Sequence, residues 1–298
     1  MKRRLIDRLH DRLWKEYSAR MTTDKLAASG SADHGGSVSG TMAWPDACSQ
    51  LGQGEIASRN FRRERAVREV VETLAPSDGR YHGERIRSSS PELLVDPRVR
   101  TVDAWGDPVR WPGLLLGMPA SFSPTTLRYL SHALWLRDQG LVPRGGMIVE
   151  IGVGFGGLAA MNGIVSEAHT LLVDLPPVTR AAMRMLAETG LGKSGTSSDE
   201  IEPSGDFCVV SNYAFTELTS DLQKHYIDRY LRASSSGMIV SNANVFSRSI
   251  GGRDDDALLS ALHAAGIPAK LDRASDLLGP SDYLGGVTLV TWKRGSAP

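Results

Sequence analysis

Met147-Ile148-Val149-Glu150-Ile151-Gly152-Val153-Gly154-Phe155-Gly156-Gly157-Leu158 constrains this chain more than any other stretch. It opens as a short apolar run rich in branched residues and bounded by Gly145 and Gly146, the pattern of a buried parallel strand. The glycines that follow predict a tight turn, and Leu158, Ala159, Ala160, Met161 and Ile164 continue as a helix. Strand, turn and helix N-terminus make a place where a ligand lies against bare backbone. Missing Cβ atoms permit close approach, and free N–H groups point outward.

Two cofactor patterns fit this turn. Gly152, Gly154 and Gly157 satisfy the dinucleotide spacing GxGxxG. Glu150, Gly152, Gly154 and Gly156 equally satisfy (Asp/Glu)-x-Gly-x-Gly-x-Gly, which resembles the first motif of S-adenosylmethionine-dependent methyltransferases. Glu150 discriminates, because an acid closing the strand suits a ligand with an ammonium group and no phosphate. Thr170-Leu171-Leu172-Val173-Asp174 predicts a second buried strand. Its terminal acid, about 20 residues past the first motif, is placed to bind the ribose hydroxyls of either cofactor.

A length of 298 residues allows one large domain or one domain with an added lobe. An apolar share of 41% and a charged share of 23% are those of a soluble globular chain. The formal net charge of zero argues against a nucleic-acid partner or a general pull toward anionic membrane. Cys48 and Cys208 have no Cys/His ligand spacing around them, so neither a disulfide scaffold nor a structural zinc is expected. The first nine residues lack the apolar core of a signal peptide and no stretch suits a membrane span, so a cytoplasmic protein with no membrane partner is expected.

Residues 1–119 read as a helical and irregular amino-terminal region, a candidate lid, substrate wall or dimerisation element, and 120–298 as the cofactor-binding domain. Leu5, Ile6, Leu9, Leu13 and Tyr17 predict an amphipathic helix over 2–20, consistent with a homodimer, and 27–41 reads as a linker. A helix is expected from Ser58 to Leu74, stopped by Ala75-Pro76-Ser77-Asp78-Gly79. An irregular prolyl region with Trp105 and Trp111 then runs to Pro119. Ser123-Pro124 opens a helix that Gly140 closes, with Leu127, Leu130, Leu134 and Trp135 inward. Its Arg128 and Tyr129 reach the cofactor's carboxylate or, by default, stay on the surface. Pro176-Pro177 starts the helix after Asp174.

Residues 191–205 are polar where a third strand is due, which leaves adenine recognition unassigned. The strand 206–210 delivers Ser211-Asn212-Tyr213-Ala214-Phe215-Thr216-Glu217-Leu218 at its carboxyl end, where open parallel sheets keep their ligand crevice. A helix through Leu222, Tyr226 and Leu231 and a strand at 237–242 follow. Asp254, Asp255 and Asp256 read as a capped helix start rather than a metal site. Ile267–Leu271 and Gly286–Trp292 predict an antiparallel edge pair joined through Ser281-Asp282-Tyr283.

Taken with Glu150–Ala159, Val173-Asp174-Leu175-Pro176 and Thr126-Leu127-Arg128-Tyr129, that octad makes residues 120 to 294 resemble the sugar O-methyltransferases of bacterial polysaccharide and natural-product clusters. The resemblance implies the α/β, Rossmann-like class I methyltransferase fold, a mostly parallel sheet with helices on both faces. It implies S-adenosylmethionine held by Glu150, Gly152, Gly154, Gly156, Asp174, Leu175, Ser211, Asn212 and Arg128, and a small-molecule acceptor, a sugar or glycosylated metabolite, against Tyr213, Glu217 and Tyr129. The transfer is expected to be metal-independent. His225 is the first candidate base because it follows the octad, with His82 and His132 behind it. An NAD(P)-dependent oxidoreductase or epimerase using Gly152, Gly154, Gly157 and Asp174 would add a Tyr-x-x-x-Lys pair, which is not found. A non-catalytic protein retaining the fold is the other alternative.

Overall fold

The computed structural model describes residues 37, 43–110, 121–198 and 202–295. The helix expected over 2–20, most of the 27–41 linker, and Trp111, Pro112 and Pro119 lie outside those residues.

Seven strands form one sheet: β1 (Met147–Ile151), β2 (His169–Val173), β3 (Gly195–Ser197), β4 (Phe207–Asn212), β5 (Ser236–Ser241), β6 (Lys270–Asp272) and β7 (Thr288–Lys293). Their order is β3-β2-β1-β4-β5-β7-β6, parallel from β1 to β5, with β7 antiparallel to both β5 and β6. This is the mostly parallel sheet with a closing antiparallel pair that the sequence predicts. The chain winds outward from β1 to β3 and then returns to β4 on the other side of β1. That reversal opens a crevice at the carboxyl ends of β1 and β4.

Strand periodicity splits the core. Ile148, Cys208 and Val210 face one side with α5 (Pro124–Asp138), α6 (Gly157–Ser166) and α7 (Pro176–Glu188). Val149, Ile151 and Val209 face the other with α8 (Ser220–Tyr226), its π-helical continuation Ile227–Leu231, and α10 (Asp255–Ala264). Glu150 alternates with Val149 and Ile151 and therefore sits on the α5 side. Between β5 and α10 lies α9 (Ala243–Ile250), and α11 (Pro280–Leu284) precedes β7. Asp254 caps α10 by accepting from the Ala257 N–H at 2.8 Å. Asp255 accepts from the hydroxyls of Ser241 and Thr288, stitching β5 to β7.

The amino-terminal region departs from expectation. It contains α1 (Trp44–Gln53), a 3-10 turn (Ser58–Arg63), α2 (Arg65–Val70), α3 (Pro76–Ser89), a 3-10 turn (Pro91–Leu94) and α4 (Pro97–Ala104). The single helix expected over 58–74 is broken at Glu64, whose ψ of 140° is extended. Three of the prolines in this region start helices. Pro76, Pro91 and Pro97 stand in the first turn, where a missing N–H costs nothing and a fixed φ is pre-set. The Ser281–Tyr283 connector is likewise helical, led by Pro280. A short β3 does exist, Gly-Thr-Ser paired with β2, in the polar stretch where no strand was legible. A Cβ at Gly195 would lie 2.6 Å from the Leu186 side chain, which would have to shift to admit it.

This region docks on the glycine turn. Arg62 is fully buried, stacks over the Phe155 ring at 4.4 Å, and donates to Glu72, Ser123 and the Asp103 carbonyl. Trp105 also stacks with this ring at 6.1 Å, its indole N–H held by Glu188.

Candidate functional site

The turn after β1 is built from left-handed backbone at Gly152, Gly154 and Gly156, with φ of 81°, 53° and 87°. Only glycine adopts these angles without strain. Gly152 also has no room for a side chain, since its Cβ would sit 2.0 Å from that of Ala214. The turn forms one wall of a cavity of about 740 Å³ at the carboxyl ends of β1, β2, β4 and β5.

At its floor is Glu150, 2% exposed, with Oε2 bonded to nothing in the described protein. Burial first, and the nearby Asp174 second, push its carboxyl well above the ordinary range. Burial in this position disfavours the charged form, and a bound cation would favour it. Asp174, one residue past β2, accepts from the N–H groups of Val153 at 2.8 Å and Leu175 at 2.7 Å. Its side chain faces the cavity, yet desolvation by the surrounding protein raises it to about 6.

Arg128 and Tyr129 are both buried at 6% exposure, against the expectation of a surface position, and both line the cavity. Their helix α5 is buried on nearly every face, so these two adjacent residues are both covered. The guanidinium of Arg128 lies over the rings of Tyr129 and Tyr213 at 5.3 and 5.1 Å, and its Nε has no partner. Tyr213 holds φ 68° and ψ −39°, an uncommon conformation for a residue with a side chain, which costs about 1–3 kcal/mol. Its hydroxyl donates to Asp282 at 2.8 Å. Strain of this kind persists where the surrounding contacts dictate a side chain's aim.

Asn212, the last residue of β4, reaches the same space. Its Oδ1 is 3.1 Å from Nδ1 of the fully buried His132, and its Nδ2 has no partner. His132 is held down to about 3, chiefly by burial and then by Arg128, so the ring is neutral and donates from Nδ1. The amide nitrogen is thereby turned away from the histidine and has no partner in the described protein. Glu217 accepts from Asn242 Nδ2 at 2.8 Å on the same wall.

Three expected site residues are placed otherwise. His225 is exposed on α8, its ring against Tyr226 at 5.4 Å, and is not part of the cavity wall. Helical phase turns it outward, since Gln223 and Ile227 take the inward positions. Ser211 is fully buried and donates to the Ile151 carbonyl while accepting from the Phe215 N–H, so it fastens β4 to β1 rather than meeting a ligand. The Cβ position of Gly156 faces Ala182 at 3.1 Å, which makes this glycine a packing requirement of α7. Among the described residues no histidine lines the cavity.

The sequence missed Asp78, Ser281 and Asp282, which also line the cavity. Asp78 accepts from the N–H groups of Ala75 and Ser281, and Asp282 from Gly279, so each carboxylate caps its own helix and Asp78 also reaches the start of α11. The signal was present as Pro76-Ser77-Asp78 and Pro280-Ser281-Asp282, a first-turn proline with an acid two residues on. Trp44, Val70 and Val71 of the amino-terminal helices close the cavity over the glycine turn.

His82 is fully buried beside His132, ring centroids 5.7 Å apart, with neither nitrogen bonded. Burial, then His132 and Arg128, hold it well below 6.5. A histidine depressed in the fold contributes stability above its unfolded pKa and loses it as pH falls below about 6.5, by up to about 1.4 kcal/mol per pH unit. His82→Leu is expected to raise stability at neutral pH by about 1 kcal/mol and to shallow the loss between pH 6.5 and 4. Urea unfolding across that range checks both.

Neither a protein-family model nor a curated protein matches the chain. Solved structures of similar fold include geranyl diphosphate C-methyltransferase from Streptomyces coelicolor A3(2), crystallised with Mg2+, geranyl-S-thiolodiphosphate and S-adenosyl-L-homocysteine. It is 12% identical, with 55% of this chain and 76% of that one covered, at a TM-score of 0.44. A TehB-like SAM-dependent methyltransferase from Corynebacterium glutamicum is 20% identical over 55% and 87%, at 0.41. A SAM-dependent methyltransferase from Aquifex aeolicus is 17% identical over 57% and 92%, also at 0.41. Among the described residues no helix is long and apolar enough to cross a membrane.

Proposed function

We propose that this protein binds S-adenosylmethionine and transfers its methyl group to a hydroxyl of a small acceptor, a sugar or a glycosylated metabolite. The observation that carries the reading is Glu150. A buried carboxyl with an unbonded oxygen, set beside a left-handed glycine turn, fits an ammonium ligand and disfavours a pyrophosphate.

The remaining polar groups match the other parts of such a cofactor. Asp174 offers carboxylate lone pairs to the ribose hydroxyls, and Arg128 has an unbonded Nε for the methionyl carboxylate. Gly152 and Gly154 admit the ligand against backbone, and the Leu175 side chain, 37% exposed, gives the adenine an apolar surface. When bound, the sulfonium supplies an electrophilic methyl carbon; the acceptor oxygen's lone pair forms the new C–O bond and the C–S pair returns to sulfur. The chain's share is alignment, and effective molarities allow positioning to supply about 7–11 kcal/mol. Tyr129, Tyr213, Glu217 and the Asn212 amide hold the acceptor, and the amino-terminal helices keep water out. The hydroxyl proton leaves to a wall carboxylate or to solvent, since His225 faces outward. We propose further that residues 120–298 form the catalytic domain, with the region before it covering the cofactor.

Calorimetry with S-adenosylhomocysteine and with NADH tests this. Saturable binding of the first and none of the second is expected; the reverse result, or binding of neither, overturns the proposal. Asp174→Asn is expected to weaken S-adenosylhomocysteine by about tenfold, because the amide keeps one acceptor for Val153 N–H but loses the charge that meets the ribose. An unchanged dissociation constant would remove Asp174 from the site.

A further inference from the structure

Past the floor formed by Glu150 and Asp174, the cavity wall carries Glu69, whose carboxylate pairs with Arg65, and three further acids, Asp78, Glu217 and Asp282. Against them stands one cationic side chain among the described lining residues, Arg128. Each of these three is fixed by neutral donors: backbone N–H groups for Asp78, Tyr213 and Gly279 for Asp282, and the Asn242 amide for Glu217. No lysine or arginine among the described residues forms an ion pair with any of the three.

If the cofactor's carboxylate takes Arg128, the acceptor end is left without a cation and with a surplus of negative charge. We infer that the acceptor is uncharged or cationic near its reacting hydroxyl and carries no phosphate there. This inference rests on the methyl-transfer reading and adds the charge class of the substrate to it. The low-dielectric wall amplifies the field at the transfer point. The unbonded Nδ2 of Asn212 provides a neutral donor for a hydroxyl oxygen, which a polyol satisfies without bringing charge. Anionic groups fare otherwise. A dianionic phosphate would need basic side chains or a bridging divalent ion. Among the described residues no three acids, histidines or cysteines are grouped as ligands for such an ion.

Two ligands of one shape read the field directly. Sinefungin carries an amine where S-adenosylmethionine carries its reactive methyl-sulfonium, whereas S-adenosylhomocysteine has a neutral sulfur there. In calorimetry on the full chain, sinefungin is expected to bind about tenfold or more tightly than S-adenosylhomocysteine. Glu217→Gln should lower that preference several-fold, and a circular dichroism spectrum and thermal melt matching the wild type show the variant to be folded. Titration of the S-adenosylhomocysteine complex with inorganic pyrophosphate and with UDP-glucose, magnesium present, is expected to show no binding. Equal or weaker sinefungin binding overturns the inference, as does a preference that Glu217→Gln leaves intact, or saturable binding of either phosphate probe. In each of these cases S-adenosylhomocysteine still binds, so the methyl-transfer reading stands; loss of that binding in the wild type fails both.

Discussion

Glu150→Gln is expected to weaken S-adenosylhomocysteine binding by about 10- to 150-fold while leaving the unliganded protein at least as stable as the wild type. The two effects come from one cause. Glu150 sits at 2% exposure with an unbonded oxygen, so its charge is of use only to a bound cation. In the free protein burial disfavours the charged form and raises the group well above 4.5, and Asp174 adds to the shift. A raised carboxyl holds more protons folded than unfolded, so it contributes stability below its unfolded pKa and loses it as pH rises toward the folded value. Asp174 and Asp78, each near 6, act in the same direction. Thermal melts of the unliganded chain should therefore show a falling contribution above about pH 4.5 that the glutamine variant lacks. Ligand binding should release a proton at neutral pH in the wild type, visible as a buffer-dependent calorimetric enthalpy, and release less in the variant. A variant that binds normally, with the same proton release, would sink the assignment of Glu150.

Gly152→Ala should be among the most damaging single methyl additions at the described glycines. The new Cβ would lie 2.0 Å from that of Ala214, and the backbone is held at φ 81°. Left-handed backbone costs an L-residue about 1–2 kcal/mol and core overpacking about 1–3, so a loss of about 2–5 kcal/mol is expected. Much of a domain's net stability would go with it. Two further variants separate these causes. Gly190→Ala, at φ 77° with no atom within 4 Å of the new Cβ, should lose only the backbone part. Adding Ala214→Gly to Gly152→Ala should recover most of the overlap part but not the backbone part. Urea denaturation of all three checks the partition. If Gly190→Ala costs as much as Gly152→Ala, the close approach of Gly152 to the Ala214 segment is not what the position requires.

The sequence made β1, the glycine turn and α6 legible because their period, branched residues and glycines are local properties. The same holds for Asp174, for α5 behind its Ser123-Pro124 start, and for the final antiparallel pair. The amino-terminal helices were misread because proline carries two opposite meanings, a break inside a helix and a start at its first turn, and composition does not tell them apart. The edge strand β3 escaped for a related reason. Three small polar residues gain their order from pairing with β2, not from their own propensity.

What the chain determined by itself is the scaffold and the chemical character of its floor: an acid at the end of one strand, glycines beyond it, and a second acid at the end of the next. Tertiary structure decided which side chains share that floor. It turned Arg128 and Tyr129 inward, sent His225 to solvent, spent Ser211 on a strand-to-strand hydrogen bond, and brought Asp78 and Asp282 together from positions 204 residues apart. The physical reason is that strand and helix periods fix a residue's face relative to its own element. The neighbour that covers that face is set by packing between elements distant in sequence.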